Sequence, residues 1–377
     1  MSAARVAVVR CESYDSPVVE EAVARGFELL GGAGRFVKSG ERIVLKPNLL
    51  VSTAPDKVTT TSPRVFDAVA RELAAAGADL SWGDSPGIGS AEGVARRAGI
   101  LEVAATLGIP MADFTTPRQV SFPEGDLIKQ FTLAEGAIAA DGIVSLPRMK
   151  THALTRMTGA VKNQFGCIPG VLKSEFHARM PNVEMFSRML VDLNRLLKPR
   201  LAVMDAIVAM EGNGPRSGDP RAVGVLLISD DLVAVDAVAC RIMNLDPALV
   251  DTIVWGERLG LGSASDIELV GDELPIVDDF VVNRRAVSTT GGGFGNQLGR
   301  KAIVPRPYVI AERCTKCGTC VRVCPVEPKA VQFPGDDRAL PPQHDYSRCI
   351  RCYCCQELCP ERAIEVKTPL LGRLIRR

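Results

Sequence analysis

Two runs of cysteine carry the most specific chemistry in the chain. Cys314, Cys317, Cys320 and Cys324 are spaced C-x2-C-x2-C-x3-C and followed by Pro325, and Cys349, Cys352, Cys355 and Cys359 repeat that spacing before Pro360. Thiolates at these intervals hold 4Fe-4S cubes, with three cysteines of one run and the fourth of the other around each cube. Cluster one is therefore expected on Cys314, Cys317, Cys320 and Cys359, and cluster two on Cys349, Cys352, Cys355 and Cys324. The two-residue gaps curl the backbone around one cube so that its amides can point at the sulfurs, and each proline turns the chain away. Paired zinc knuckles would need only CxxC pairs, leaving the third cysteine and the proline unexplained. Cys354 is a surplus thiol inside the second run, expected to pack beside the cluster as a small apolar residue rather than to exchange with a ligand.

A second set of candidates lies where apolar runs end. Lys46-Pro47-Asn48, Asp84-Ser85, Arg148-Met149-Lys150-Thr151-His152 and Asp205 each follow a strand-like stretch. In open α/β sheets ligands gather at the carboxyl ends of strands, so these residues could converge. The plain alternative is that a strand end is where a chain returns to solvent. From Pro147 to Arg179 the chain is locally basic, with Arg148, Lys150, Arg156, Lys162, Lys173 and Arg179 opposed only by Glu175, and with His152 and His177. Such an excess suggests a pocket for a carboxylate or phosphate, against the simpler reading of a solvated basic face. Thr158-Gly159 could open a short helix over Ala160 to Phe165 whose amides would also favour an anion. Lys162, in apolar and small company, is expected to have a lowered pKa and to serve as acid, base or nucleophile. His152 and His177 are candidates for proton transfer or metal binding.

The elements that must position these groups are legible in outline. Strands are expected over Arg5 to Arg10, Arg42 to Lys46, Asp79 to Trp82, Gly142 to Leu146, Leu201 to Met204 and Val223 to Ile228. Helices are expected over Pro17 to Leu30, from Ser62-Pro63 to Gly77, near Gly93 to Ala98, over Val183 to Leu197 and over Asp231 to Met243. This alternation implies an α/β architecture, a two-lobed large domain with mostly parallel sheet, followed by a small C-terminal α+β domain around the cysteines. The GxGxxxG turn from Gly87 to Gly93 misses the dinucleotide fingerprint by one residue and reads as a plain turn. The domains expected are residues 1–285, a glycine-rich linker at 286–305, the cysteine domain at 306–366 and a basic tail at 367–377.

Composition narrows the classes. The chain has 377 residues, with 45 basic against 44 acidic side chains, so no global field points to nucleic acid. Of its 12 cysteines only Cys11, Cys167, Cys240 and Cys354 lie outside the cluster positions, a distribution that indicates a reducing cytoplasm rather than a secreted disulfide framework. Arg5 and Arg10 interrupt the start, and no apolar run approaches a membrane span, so a cytoplasmic protein without membrane contact is expected.

The strings Val44-Leu45-Lys46-Pro47-Asn48, Thr61-Ser62-Pro63, Gly83-Asp84-Ser85-Pro86, Lys150-Thr151-His152 and Gly159-Ala160-Val161-Lys162-Asn163-Gln164-Phe165-Gly166 resemble the domain of unknown function 362 family. Its members often carry a bacterial ferredoxin-type tail, and the likeness runs from about Val6 to Asp246. More distantly, the order His152, Lys162, Ile168-Pro169-Gly170, His177 is similar to a segment of the nickel-pincer lactate racemases. That resemblance implies an acid/base role for His152, a cofactor or substrate anchor at Lys162 and a metal or substrate ligand at His177. The racemases lack a ferredoxin tail and need no net electrons.

Taken together, these readings lead to an expected iron-sulfur oxidoreductase, with two 4Fe-4S clusters passing low-potential electrons to an anionic or conjugated small molecule in the α/β domain. Lys162 and Lys46 would hold the anion, with Asn48, Arg148, Lys150 and Asn163 beside it. His152 would deliver a proton, and Asp84 or Asp205 would orient a basic residue or substrate hydroxyl. An external donor such as a ferredoxin, flavodoxin or reductase would supply electrons, a further metal or organic cofactor is left open, and a homodimer is allowed. The rival readings are a non-catalytic carrier docking to a partner enzyme, and a racemase-like isomerase with a metal cofactor.

Overall fold

The computed structural model of the chain describes residues 3–170, 172–180, 182–285, 304–335 and 338–369. Strand β1 (Ala4–Arg10) leads into helix α1 (Ser16–Leu29), which buries Val19, Ala22, Val23 and Phe27. After β2 (Arg42–Pro47), helix α2 (Pro63–Ala75) begins where the Ser62 side chain accepts from the Arg64 amide and Pro63 needs no amide partner. Next come β3 (Asp79–Trp82), α3 (Ala91–Ala98) and α4 (Ile100–Thr106), with Gly99 in the left-handed region between the two helices. β4 (Pro117–Ser121) and β5 (Gln130–Ala134) pair antiparallel apart from the main sheet and precede α5 (Glu135–Ala139). The site-bearing stretch follows: β6 (Gly142–Leu146), β7 (Arg148–His152), β8 (Arg156–Thr158), α6 (Ala160–Asn163) and α7 (Leu172–Arg179). The large domain closes with α8 (Val183–Leu197), β9 (Leu201–Glu211), β10 (Asp219–Ser229), α9 (Leu232–Ile242), α10 (Asp251–Arg258) and β11 (Ile267–Gly271).

The main sheet has the order β11-β1-β10-β9-β6-β2-β3, with β7 beside β9 and β8 beside β7. It is mostly parallel; the β1/β10, β10/β9 and β7/β8 pairs run antiparallel. Both faces are covered, which is why its strands read as continuous apolar runs. Alternate residues feed opposite cores: Val6, Val8, Ala202 and Met204 pack with α8 and α9, whereas Ala7, Val9 and Val203 pack with α1 and α2. The two lobes expected from the sequence thus share one sheet.

Several strand ends need correction. The strand expected over Leu201 to Met204 continues to Glu211, and Arg148-Met149-Lys150-Thr151-His152, expected as a strand end, is itself a buried strand. β7 tolerates buried polar residues because Arg148 stands opposite Asp205 on β9 and Lys150 finds partners across the sheet edge.

The C-terminal unit is small and antiparallel. β12 (Arg306–Val309) pairs with β15 (Ile364–Lys367), and β13 (Val331–Gln332) with β14 (Gln343–His344). One-turn helices at Thr319–Arg322 and Cys354–Glu357 carry cysteines into a core with Val331, Ala363 and Ile364. Gln356 Nε2 donates to the Asn213 carbonyl at 3.1 Å and the Gly214 carbonyl at 3.0 Å, and Arg216 donates to the Leu358 carbonyl at 2.9 Å, so this unit is seated on the end of β9. The linker expected at 286–305 and the tail expected at 367–377 lie outside the described residues, apart from 304–305 and 367–369.

Candidate functional site

Two cavities in the C-terminal unit are walled by cysteine. One is lined by Cys314, Cys317, Cys320 and Cys359 with Pro342 and Pro360, the other by Cys324, Cys349, Cys352 and Cys355 with Pro307 and Pro325. Each draws three thiols from one run and one from the other, an arrangement that fits a cube in each cavity. Among the described residues no group of three or more His, Cys, Asp or Glu side chains is arranged around a single metal ion. Cys354 is buried against Cys352. The third histidine, His344, places Nε2 3.4 Å from the Cys355 sulfur.

The polar strand ends divide into structural pairs and a pocket. Lys46 Nζ is fully buried, donating to Asp84 at 2.8 Å and to the Pro47 carbonyl, while Asp84 also accepts the Leu49 amide at 2.7 Å. A side chain at Gly166 would collide with both members of this pair. Lys46, expected to hold an anion, thus has its charge met by Asp84. Asp205 accepts from Arg148 at 2.6 Å, from Tyr14 at 2.9 Å and from the Ser62 amide at 3.1 Å. The Arg148 guanidinium, which also donates to Val208 and Thr60 carbonyls, has its charge met by Asp205 and its donors largely committed.

The pocket opens between the large domain and the cysteine unit. Its walls include Asn48, Leu50, Arg148, Lys150, Lys162, Asn163, Pro215 and Glu357. Lys150 Nζ donates to Asn48 Oδ1 at 2.6 Å and to the Thr59 carbonyl at 2.6 Å. Burial pushes its pKa down to about 7, helped by Lys162 and Arg148. Asn163 is oriented by donating to the Lys46 carbonyl and Ser145 hydroxyl, and its Oδ1 is buried without a partner. Glu357 enters from the cysteine unit, with Oε1 3.9 Å from Lys162 Nζ and Oε2 3.5 Å from His152 Nε2. Burial alone would raise its pKa, yet Lys162, with His152 and His177, holds it well below the usual carboxylate range.

His152 is locked in one tautomer. Its Nδ1 accepts the Leu154 and Thr155 amides at 3.0 and 3.3 Å, so the proton of the neutral ring lies on Nε2, facing Glu357. Burial pushes its pKa down to about 4. At neutral pH the neutral ring offers its Nε2–H as a hydrogen-bond donor. His177 stacks on Phe186 at 4.5 Å and meets Phe165 edge-on, and burial likewise pushes it down to about 4.

Two further expectations change. The amides of Ala160 and Val161 donate to Asp236 at 2.6 and 3.2 Å, so the start of α6 is already capped and offers those two amides to no ligand. Gly159 is required there, because a Cβ would fall on the Asp236 carboxylate. The basic segment also disperses: Arg156 donates to the Leu249 carbonyl, Arg179 lies over Phe176, and Lys173 donates to Ser85 Oγ at 2.8 Å. Glu357, Tyr14 and Asp236 were not among the sequence candidates. Glu357 alone had a local signal, an acid inside the last gap of a cysteine run.

Two four-thiol cavities docked on an α/β domain, together with the family matches below, define an iron-sulfur protein of the electron-transfer class. The chain belongs to the family described as domain of unknown function (DUF362), whose model matches residues 43–241, and residues 306–360 match the 4Fe-4S dicluster domain. It is 41% identical over 257 residues to a thylakoid-associated protein of Synechocystis sp., covering 68% of this chain and 79% of that one. Among solved structures it is similar to the lactate racemase apoprotein of Thermoanaerobacterium thermosaccharolyticum (12% identity, TM-score 0.39, 64% of this chain). A Thermotoga maritima protein is a second such neighbour (14% identity, TM-score 0.34, 58% of this chain). The chain spans 57% and 56% of the lengths of those two structures. Among the described residues no helix is long and apolar enough to cross a membrane.

Proposed function

We propose that the protein is an iron-sulfur oxidoreductase in which the α/β domain (residues 1–285) holds an anionic or conjugated small molecule in the Lys150–Lys162 pocket, and the C-terminal unit (residues 306–366) serves its reduction. The observation that carries this reading is Glu357. The turn bearing Cys354 and Cys355 inserts that side chain between Lys162 and His152, so the cysteine unit is docked on the cationic pocket itself. Clusters held by the eight cysteines would supply low-potential electrons one at a time beside this wall.

The chain's own residues supply the rest. Lys162 attracts the anion, and the His152 Nε2–H gives it a neutral donor. Lys150, poised near neutrality, takes the proton-donating role. Asn163 Oδ1 is available to a donor on the ligand. Asp84 and Asp205 fix Lys46 and Arg148 behind the pocket, and Leu50 and Pro215 restrict water. An external donor such as a ferredoxin, flavodoxin or reductase is required, in a reducing compartment such as the cytoplasm.

The test is anaerobic. Reconstituted protein should carry about eight irons, and mass spectrometry should identify what co-purifies. Reduced protein should then be reoxidised by its acceptor, with Lys162→Ala slower by roughly tenfold or more, the size expected for losing a charged hydrogen bond. Equal rates for variant and wild type would sink the reading.

A further inference from the structure

Glu357 and its partners are a poor match. The contacts of 3.5 Å to His152 and 3.9 Å to Lys162 are both longer than a charge-assisted hydrogen bond. His152 Nε2, which carries the ring proton, is buried with no hydrogen-bond partner. Buried donors are ordinarily satisfied, so this one is set for a group better seated than Glu357. The cavity walled by Lys162 and Glu357 is only about 30 Å³, room for one or two waters. No organic molecule fits there while Glu357 is in place.

We propose that Glu357 is a placeholder: His152 Nε2–H and Lys162 Nζ form a binding site for the carboxylate of a small-molecule ligand, which takes the Glu357 position when Glu357 withdraws. This rests on the reading that the pocket receives an anion, and it names the class. One neutral donor and one ammonium match a single negative charge shared by two oxygens, the group now there. A phosphate dianion would need more, and Lys150 already gives two of its three N–H groups to Asn48 and Thr59. Glu357 shares a helical turn with Cys354 and Cys355, and its neighbour Gln356 is tied to Asn213 and Gly214. Ligand binding and the seating of the cysteine unit are therefore coupled, each biasing the other.

The experiment titrates propionate into the iron-loaded wild type, Glu357→Gln and Glu357→Asp by calorimetry, with propionamide as the uncharged control. A tethered competitor lowers apparent affinity by the fraction of time it occupies the site, so Glu357→Gln should bind propionate roughly tenfold more tightly. Adding Lys162→Ala should abolish the gain, and propionamide should not bind. Unchanged or weaker propionate binding in Glu357→Gln with wild-type cluster absorbance overturns the proposal. If Glu357→Gln fails to retain its clusters, Glu357→Asp, one methylene shorter, should bind more tightly than wild type, and equal binding overturns it instead. Binding needs no electrons, so the two readings fail separately. Carboxylate binding as expected without reoxidation of reduced protein removes the reductase reading alone. Lys162-dependent reoxidation with Glu357-independent carboxylate affinity removes this one alone.

Discussion

Lys150 Nζ donates to Asn48 Oδ1 at 2.6 Å, so a buried cation at the pocket wall is held by an uncharged side chain. Its other close partner is the Thr59 carbonyl, also uncharged. Burial first, then the charges of Lys162 and Arg148, push its pKa down to about 7, while Glu357 and Asp84 pull the other way.

Anion affinity should therefore fall as pH rises through about 7, as Lys150 loses its charge. Asn48→Asp would set a carboxylate against the ammonium and move that inflection upward by roughly one unit or more. For folding the sign is opposite. The unfolded chain keeps a proton that the folded chain releases, so the cost of Lys150 is present below about pH 7 and is relieved as pH rises above it. Calorimetric titrations from about pH 6 to about pH 8 read the binding effect, and a flat profile would remove Lys150 from the site.

His152 and His177 are both held neutral, each near 4 because of burial. Between the ordinary imidazole value of about 6.5 and about 4, the unfolded chain takes up protons that the folded chain refuses. Stability should fall as pH drops through that window, by roughly 3 kcal/mol per ring at full extent. His177→Phe can keep the stack on Phe186 and removes one of the two rings from the titration. Its Tm should drop less than that of wild type on acidification; an identical drop would exclude His177 as a source.

The Lys46–Asp84 pair should be structural. Lys46→Met leaves a buried carboxylate without its cation and should cost about 3–5 kcal/mol by denaturant unfolding. Lys46→Met with Asp84→Asn should recover part of that loss, since the side-chain amide so introduced is uncharged and its oxygen can still accept the Leu49 amide. Gly166→Ala should destabilise alone, because the added methyl collides with the pair. If Lys46→Met instead keeps full stability and loses only anion binding, Lys46 belongs to the pocket after all.

What could be read from the chain was local. Val6 and Val8 alternate with Ala7 and Val9, and the apolar spacing of α2 repeats at helical period, so their geometry was written in neighbouring residues. β7 was missed as a strand because its polar residues break that alternation. They are tolerated only through partners such as Asp205, Asn48 and Thr59, all distant in sequence.

The same division runs through the site. The spacing of the eight cysteines by itself was enough to expect the two groups of four thiols that line the two cavities, because two- and three-residue gaps leave a short backbone little choice of geometry. The family strings likewise located Lys46, Lys150, His152 and Lys162. Only the tertiary structure decided which cations face the pocket. Lys46 is met by Asp84, Arg148 by Asp205 and the α6 amides by Asp236, leaving Lys150 and Lys162, among the described residues, as the wall cations with no aspartate partner, beside Glu357 from the cysteine unit. The reason is physical. A charge's partner is set by where the folded backbone carries it, and the cost of burying it unpaired makes that pairing decisive.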